Sequence, residues 1–141
     1  MQRVPNMDAT RIEARRVLES LRQCVERNRY AVSRSENREE NEAFIAHYQL
    51  TNERIRNLLL GIRLKDYCHP RRGFKPGDEG IHYYVFGPRA VLVTFEGIEE
   101  IVQTYVKVVI HEYLTGEFAV VVSVHWPNEE LEYPLEFETE D

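Results

Sequence analysis

Apolar side chains recur at helical spacing in the first sixty residues of the chain. Thr10 and Glu13 have the spacing of a capping box, which predicts that a helix begins there. Two shorter helices are predicted, one over residues 39–48 and one that starts after Thr51 and stops at Gly61. We interpret the three helices as a packing layer. The apolar stripe of the first helix comprises Ala14, Val17, Leu18, Leu21, Cys24 and Val25.

After residue 80 the spacing of apolar side chains changes from helical to alternating. Alternation is typical of strands, and it predicts strands over residues 81–86 and 90–95, connected by Pro88 and Arg89. The segment 104–126, "TYVKVVIHEYLTGEFAVVVSVHW", has the pattern of a β-hairpin. Because helices come first and strands follow in succession, we predict an α+β fold with N-terminal helices packed on one face of an antiparallel β-sheet.

Polar side chains interrupt the predicted hairpin in phase. A three-residue turn over 114–116, with glycine at its last position, pairs residue 113 with residue 117. Counting back from that turn pairs Tyr105 with His125 and Lys107 with Ser123. These four side chains are then expected on the face away from the valines at 120, 122 and 124, with His125 exposed. An ordinary solvent-facing sheet surface has the same alternation.

The segment "YCHPRRGFKPGDEG", residues 67–80, predicts a long loop, because its prolines and glycines exclude regular structure. Arg71, Arg72 and Lys75 form its basic cluster, close to His69 and to the aromatic Phe74. Loops of this length are usually functional or disordered. Two interpretations therefore stay open, a surface loop without a role and a loop that contacts RNA.

The chain of 141 residues is 43% hydrophobic, which fits one domain with a buried core. We divide that domain into a helical layer over 1–64, a sheet over 81–127 and an acidic tail over 128–141. Cys24 and Cys68 lack metal-ligand spacing and indicate free thiols. Without an apolar leader or an apolar run of about 18–20 residues, we expect a cytoplasmic protein that needs no membrane. We expect neither a metal nor another cofactor.

The net charge of −6 disfavours nucleic-acid binding, but the charge is unevenly distributed. The tail 128–141, "NEELEYPLEFETED", carries seven acidic residues and no basic ones, so the rest of the chain has a net charge of +1. The tail is either a solvated end, which we favour, or an acidic arm that docks on a basic surface.

Several segments in one order resemble the MqsR family of toxins from bacterial type II toxin–antitoxin systems. They are "RYAVSRSENREENEAFIAHYQLT", "LLLGIRLKDY", "YYVFG", "EGIEEIVQTYVKVVI", "VVVSVH" and "LEYPLEF". The resemblance runs from Arg29 to Phe137. It implies a RelE-like fold, metal-independent cleavage of mRNA, restraint by a cognate antitoxin, and an activity for which the ribosome is a candidate partner.

The same resemblance implies a set of site residues. The family's tyrosine and lysine on one strand correspond to Tyr105 and Lys107, and the basic residue that ends its last strand corresponds to His125. A basic residue after its aspartate-aromatic step falls near His69, and a polar residue on its middle strand falls on Tyr83 or Tyr84. The expected RNA-binding residues are Arg71, Arg72, Lys75, Tyr83, Tyr84 and Arg89.

Metal-free RNA cleavage uses the 2′-hydroxyl of the RNA as nucleophile, and these residue types can serve it. We expect His125 to act as general acid, Lys107 to stabilise charge on the phosphorane, Tyr105 to position the phosphate and His69 to act as base. Tyr83, Tyr84 or Phe74 can stack on a base. The alternative is a non-enzymatic interaction protein that has kept the fold and uses its acidic tail to bind a basic partner.

Overall fold

The computed structural model describes residues 7–33, 38–68 and 81–137, and within these ranges the chain forms an α+β fold, as predicted. The α-helices are α1 (Met7–Glu26), α2 (Arg38–His47) and α3 (Asn52–Leu60), followed by a 3₁₀ turn at Leu64–Asp66. The strands are β1 (Tyr30–Val32), β2 (Tyr67–Cys68), β3 (Tyr84–Phe86), β4 (Arg89–Val93), β5 (Glu99–Gln103), β6 (Tyr105–Tyr113) and β7 (Gly116–His125).

Five of these strands form the main sheet, in the order β1-β7-β6-β3-β2. All neighbours in this sheet are antiparallel except β1, which runs parallel to β7. The predicted antiparallel sheet is therefore confirmed for β7, β6, β3 and β2, and β1 adds one parallel strand at its edge. Strands β4 and β5 pair only with each other and form a separate antiparallel hairpin.

The hydrophobic core lies between the helices and one face of the main sheet. The predicted stripe of α1, which includes Leu18, Leu21 and Val25, is buried there. It packs with Val106 and Val108 of β6. The helical layer predicted from the apolar spacing is therefore confirmed.

Two of the predicted helix starts have different outcomes. Thr51 is the N-cap of α3, as predicted, and its Oγ1 accepts a hydrogen bond of 3.2 Å from the backbone N–H of Arg54. Thr10, in contrast, lies inside α1, which already begins at Met7. The capping box predicted at Thr10 and Glu13 is therefore wrong, because the helix extends beyond its apolar stripe.

The strands differ from the prediction in their boundaries and in their number. β3 begins at Tyr84 rather than at residue 81, and β4 begins at Arg89, which was predicted to be a connection. β5 was not predicted, because its sequence "EEIVQ" has little apolar alternation. β1 and the two-residue β2 were also missed; β2 falls on the first two residues of the predicted loop.

The hairpin of β6 and β7 has the predicted pairing near the polar residues but not at the turn. Tyr113 pairs with Gly116, so the turn is one residue shorter than predicted. A β-bulge at Val122 then restores the count, and Tyr105 pairs with His125 as expected. Between the turn and the bulge, the side chains of β7 lie on the face opposite to the predicted one. Val121 rather than Val122 therefore lies in the core, opposite Val108 of β6.

The C-terminal segment is packed on the fold as far as it is described. Leu135 is only 1% exposed and belongs to the core. The Tyr133 hydroxyl donates a 2.7 Å hydrogen bond to the carbonyl of Gly87 and accepts one of 2.6 Å from Gln103 Nε2. The favoured interpretation of a solvated end is therefore wrong for this part of the tail, while residues 138–141 lie outside the described ranges.

Gly87 leaves the space that this segment occupies, so we expect Gly87→Ala to destabilise the protein. A Cβ at this position would lie 2.6 Å from Leu131 Cδ1 and 2.7 Å from the Tyr133 hydroxyl. Such crowding typically costs about 1–3 kcal/mol. Urea denaturation measures the loss. The same substitution in a Tyr133→Phe background should cost less, because one of the two clashing atoms is gone; an equal cost would exclude this clash as the cause.

Candidate active site

Tyr105 and His125 face each other across the end of the β6–β7 hairpin. Their rings are stacked, with centroids 5.1 Å apart and planes inclined by 16°. They are direct cross-strand partners, on the sheet face opposite the core valines Val106 and Val124. The predicted pairing of a phenol with an imidazole is therefore confirmed.

His125 is buried, with 4% of its surface exposed, so the expectation of an exposed imidazole is wrong. Its Nδ1 lies 2.7 Å from the backbone carbonyl of Trp126 and 3.5 Å from Glu40 Oε2. A carbonyl oxygen can only accept a hydrogen bond, so Nδ1 carries the proton. In the neutral ring, the lone pair is then on Nε2.

Lys107 lies two residues after Tyr105 on the same face of the hairpin, opposite Ser123, as predicted. Its ammonium stands over the ring of Tyr83, with Nζ 4.7 Å from the ring centroid, which is a cation–π distance. The contact fixes the side chain on the face that carries Tyr105 and His125. A positive charge, an imidazole and a phenol therefore share this face, and Tyr83 adds a second aromatic ring.

Burial raises the pKa of Tyr105, and the nearby Cys68 and Glu129 raise it further. Tyr105 is therefore a neutral phenol near neutrality, able to donate a hydrogen bond to a phosphate oxygen but unsuited to act as a base. Burial likewise raises the pKa of Cys68 to about 12, with the Asp66 carboxylate adding to the effect. Both Cys24 and Cys68 are free and buried, and neither is an activated nucleophile.

Tyr84 and Arg89 do not join this face, although both were predicted to bind RNA. The Tyr84 hydroxyl donates a 2.9 Å hydrogen bond to Glu13 of α1, because Tyr84 pairs with Val108 and so points to the helical side. Arg89 lies over the ring of Tyr133, 6.0 Å from its centroid. It lines a different groove of about 360 Å³, together with Arg63, Lys65, Asp66 and Glu136.

Five of the predicted site residues lie outside the described ranges, and they keep the status of predictions. They are His69, Arg71, Arg72, Phe74 and Lys75.

Asn41 on α2 supports the strand that carries His125, and sequence reasoning missed it. Its Nδ2 donates to the Val122 carbonyl at 3.1 Å, and its Oδ1 accepts from the Val124 N–H at 2.9 Å. The backbone N–H of Ser33, just after β1, donates to the Val121 carbonyl of β7. The side-chain amide of Asn41 continues this hydrogen bonding along β7 and holds the bulge at Val122. The available signal was a polar residue three positions before Phe44, on the side of α2 that carries the apolar residues.

An aromatic cluster holds Trp126, whose carbonyl orients His125. The Trp126 ring lies 5.0 Å from that of Phe44 and 5.4 Å from that of His47, both in edge-to-face geometry. Its indole N–H donates to the Tyr48 hydroxyl at 3.2 Å. Glu40 is held in turn by Asn128, whose Nδ2 donates to Glu40 Oε2 at 3.0 Å. These residues position the imidazole, and none of them was predicted.

In the described part of the chain, no group of three or more histidine, cysteine or acidic side chains is arranged to hold a metal ion. Among the same residues, no helix combines the length and the apolar character needed to cross a membrane.

Comparison with known proteins finds no matching family model, no matching curated protein and no matching solved structure. The α+β fold and the sheet face that carries Tyr105, Lys107 and His125 are therefore the observations on which a functional proposal can rest.

Proposed function

We propose that this protein is an endoribonuclease that cleaves mRNA without a metal ion, by attack of the RNA's own 2′-hydroxyl. The observation that carries the proposal is the stacked pair of Tyr105 and His125, with Lys107 on the same face of the sheet. Imidazole, ammonium and phenol are the groups that such a reaction can use for proton transfer, charge stabilisation and positioning.

His125 is the general acid in this proposal. Its Nδ1 proton is committed to the Trp126 carbonyl, so Nε2 is the atom that exchanges protons with substrate. The 2′-hydroxyl gives its proton to the base, for which His69 is the candidate, and its oxygen attacks phosphorus while the bond to the 5′-oxygen breaks. The imidazolium of His125 gives its Nε2 proton to that leaving oxygen. The products are a 2′,3′-cyclic phosphate and a free 5′-hydroxyl.

Lys107 and the two tyrosines bind the reacting phosphate and its neighbouring base. The Lys107 ammonium supplies a fixed positive charge for the phosphorane. Tyr105 donates a hydrogen bond from its neutral phenol. Tyr83, already in contact with Lys107, provides a ring on which a nucleobase can stack. His69 as base and Arg71, Arg72 and Lys75 as phosphate ligands complete the proposal on the basis of sequence alone.

The proposed biological setting is that of a toxin acting in the cytoplasm, restrained by a cognate antitoxin. It rests on the resemblance to the MqsR family and on the α+β fold. A ribosome requirement is an additional part of the setting, and cleavage assays with free RNA and with translating ribosomes separate the two cases.

We expect the purified protein to cleave a defined RNA in excess EDTA, because the proposed chemistry uses only side chains. Sequencing and end analysis of the products should find 2′,3′-cyclic phosphate and 5′-hydroxyl termini. Lys107→Ala is the matched variant: it should slow cleavage at every pH tested, since it removes the positive charge that stabilises the phosphorane. Cleavage that stops in EDTA and returns with a divalent metal would contradict the mechanism.

The burial of His125 and Ser123 favours a second candidate, a non-enzymatic interaction protein with the same fold. Both side chains are nearly inaccessible, and an imidazole that is mainly structural would be buried in the same way. Absence of cleavage on free RNA and on translating ribosomes, in a protein shown to be folded, would favour this candidate over the enzyme.

A further inference from the structure

The hairpin of β4 and β5 exposes an apolar surface on its outer side. Val91 and Ile101 are direct cross-strand partners there, with 63% and 79% of their surfaces exposed. Phe95 and Ile98, in the turn of the same hairpin, are exposed as well. The directly paired and exposed Val91 and Ile101 are the centre of this surface, since exposed apolar patches mark interaction sites in folded proteins.

The hairpin is held firmly against the rest of the protein, so this surface is fixed in place. Leu92 and Val102 on its inner side belong to the hydrophobic core. The backbone N–H of Phe95 donates to the His47 carbonyl at 3.0 Å, and Gln49 Nε2 donates to the Thr94 carbonyl at 3.1 Å. The outer side chains cannot be buried by a simple rotation of the hairpin, because their inner neighbours would become exposed.

Charges of opposite sign flank the exposed apolar pair. Arg89 lies two residues from Val91 towards the base of the hairpin, opposite Gln103, and Glu99 lies two residues from Ile101 towards the tip, opposite Val93. Both charged residues are exposed and both share the outer face with Val91 and Ile101, where Arg89 also lies over the Tyr133 ring at the base of the hairpin. Arg89 is on β4 and Glu99 is on β5, so the two charges lie at opposite ends of a diagonal across the face.

This diagonal is self-complementary under two-fold symmetry. Strand geometry, at about 3.4 Å per residue and about 4.8 Å between strands, inclines the diagonal by roughly 20° to the strands. A two-fold axis perpendicular to it places Arg89 of one copy over Glu99 of the other, twice. The strands of the two copies then cross at about 40°, close to the roughly 30° of aligned sheet packings.

We propose that the protein forms a homodimer in which the outer faces of two β4–β5 hairpins pack against each other. The Val91–Ile101 pair lies at the centre of this isologous interface, and the Arg89–Glu99 contacts lie at its rim. RNA is a poor alternative occupant, because the segment 90–104 carries Glu96, Glu99 and Glu100 and no basic residue. The dimer is independent of the proposed ribonuclease activity.

Sedimentation velocity over a range of protein concentrations tests the dimer. We expect Ile101→Asp to raise the dimer dissociation constant at least about 10-fold, because it places a charge at the centre of an apolar interface. Ile12→Asp is the matched control, since Ile12 is an isoleucine on α1 with 67% of its surface exposed, and its substitution should leave dimerisation unchanged. A protein that is monomeric at all concentrations, or a dimer that tolerates Ile101→Asp, overturns the proposal.

A charge exchange tests the two-fold geometry separately. Glu99→Arg alone should weaken the dimer by roughly 5- to 10-fold, because it brings two arginines together in each rim contact. The double variant Arg89→Glu with Glu99→Arg should recover most of the loss, since the pairs are re-formed with their signs exchanged. A double variant that dimerises no better than the single one overturns the proposed packing.

Discussion

Replacing His125 with asparagine is expected to lower RNA cleavage by about 10²- to 10⁴-fold while leaving the protein folded. The range is the usual contribution of a general acid or base. An asparagine amide can keep a hydrogen bond to the Trp126 carbonyl, the partner of Nδ1, but it has no titratable nitrogen in place of Nε2. Single-turnover cleavage rates measured across pH give the effect.

A matched variant separates this chemical role from a structural one. Because His125 is buried, His125→Ala removes both the proton donor and a packed ring, and it is expected to lower stability as well as activity. His125→Asn and His125→Ala should then differ in the free energy of unfolding but be similarly inactive. If His125→Asn is folded and cleaves RNA at the parent rate, the assignment of His125 as general acid is wrong.

The sequence predicted the pairing of Tyr105 with His125, although two details of the hairpin were wrong. The turn at Leu114 and Thr115 is one residue shorter than expected, and the bulge at Val122 adds one residue back. A run of four valines at 120–122 and 124 hides a bulge, because either register places apolar side chains on the core face. The in-phase polar positions were therefore the reliable signal, and the turn was not.

Contacts between distant parts of the chain were beyond what local patterns can indicate. β5 was missed because the segment "EEIVQ" has little apolar alternation of its own. It forms a strand by pairing with β4. The packing of Leu131 and Tyr133 depends on the space left at Gly87, more than forty residues earlier in the chain. Strand alternation predicts that Tyr83 and Tyr84 lie on opposite faces. Which of the two faces α1 is visible only in the folded structure.

The burial of His125 has the same origin. Alternation along β7 distinguishes two faces but does not tell whether a second layer covers the polar one. Glu40 of α2 lies beside the imidazole, and Asn128, 88 residues later in the chain, donates a hydrogen bond to Glu40, so only the folded chain brings them together. A buried histidine with one committed nitrogen is a more defined chemical group than the exposed imidazole that was expected.

Replacing Asn41 with leucine is expected to cost about 2–4 kcal/mol of stability, the largest loss from any single polar side chain considered for this fold. Leucine fills a similar volume, but the Val122 carbonyl and the Val124 N–H lose their partners inside the protein. Each buried backbone group left unsatisfied costs about 1–3 kcal/mol. The free energy of unfolding from urea titration measures the loss.

Asn57→Leu is the control for this substitution. Asn57 is an exposed asparagine on α3, so the same exchange there gains helix propensity and should stay within about 0.5 kcal/mol of the parent protein. Amide hydrogen exchange adds a local measurement: Asn41→Leu should lower protection at Val124, next to His125, more than at Val108 in the centre of the sheet. If Asn41→Leu is as stable as Asn57→Leu, the amide of Asn41 does not secure the bulge, and the position of His125 has another cause.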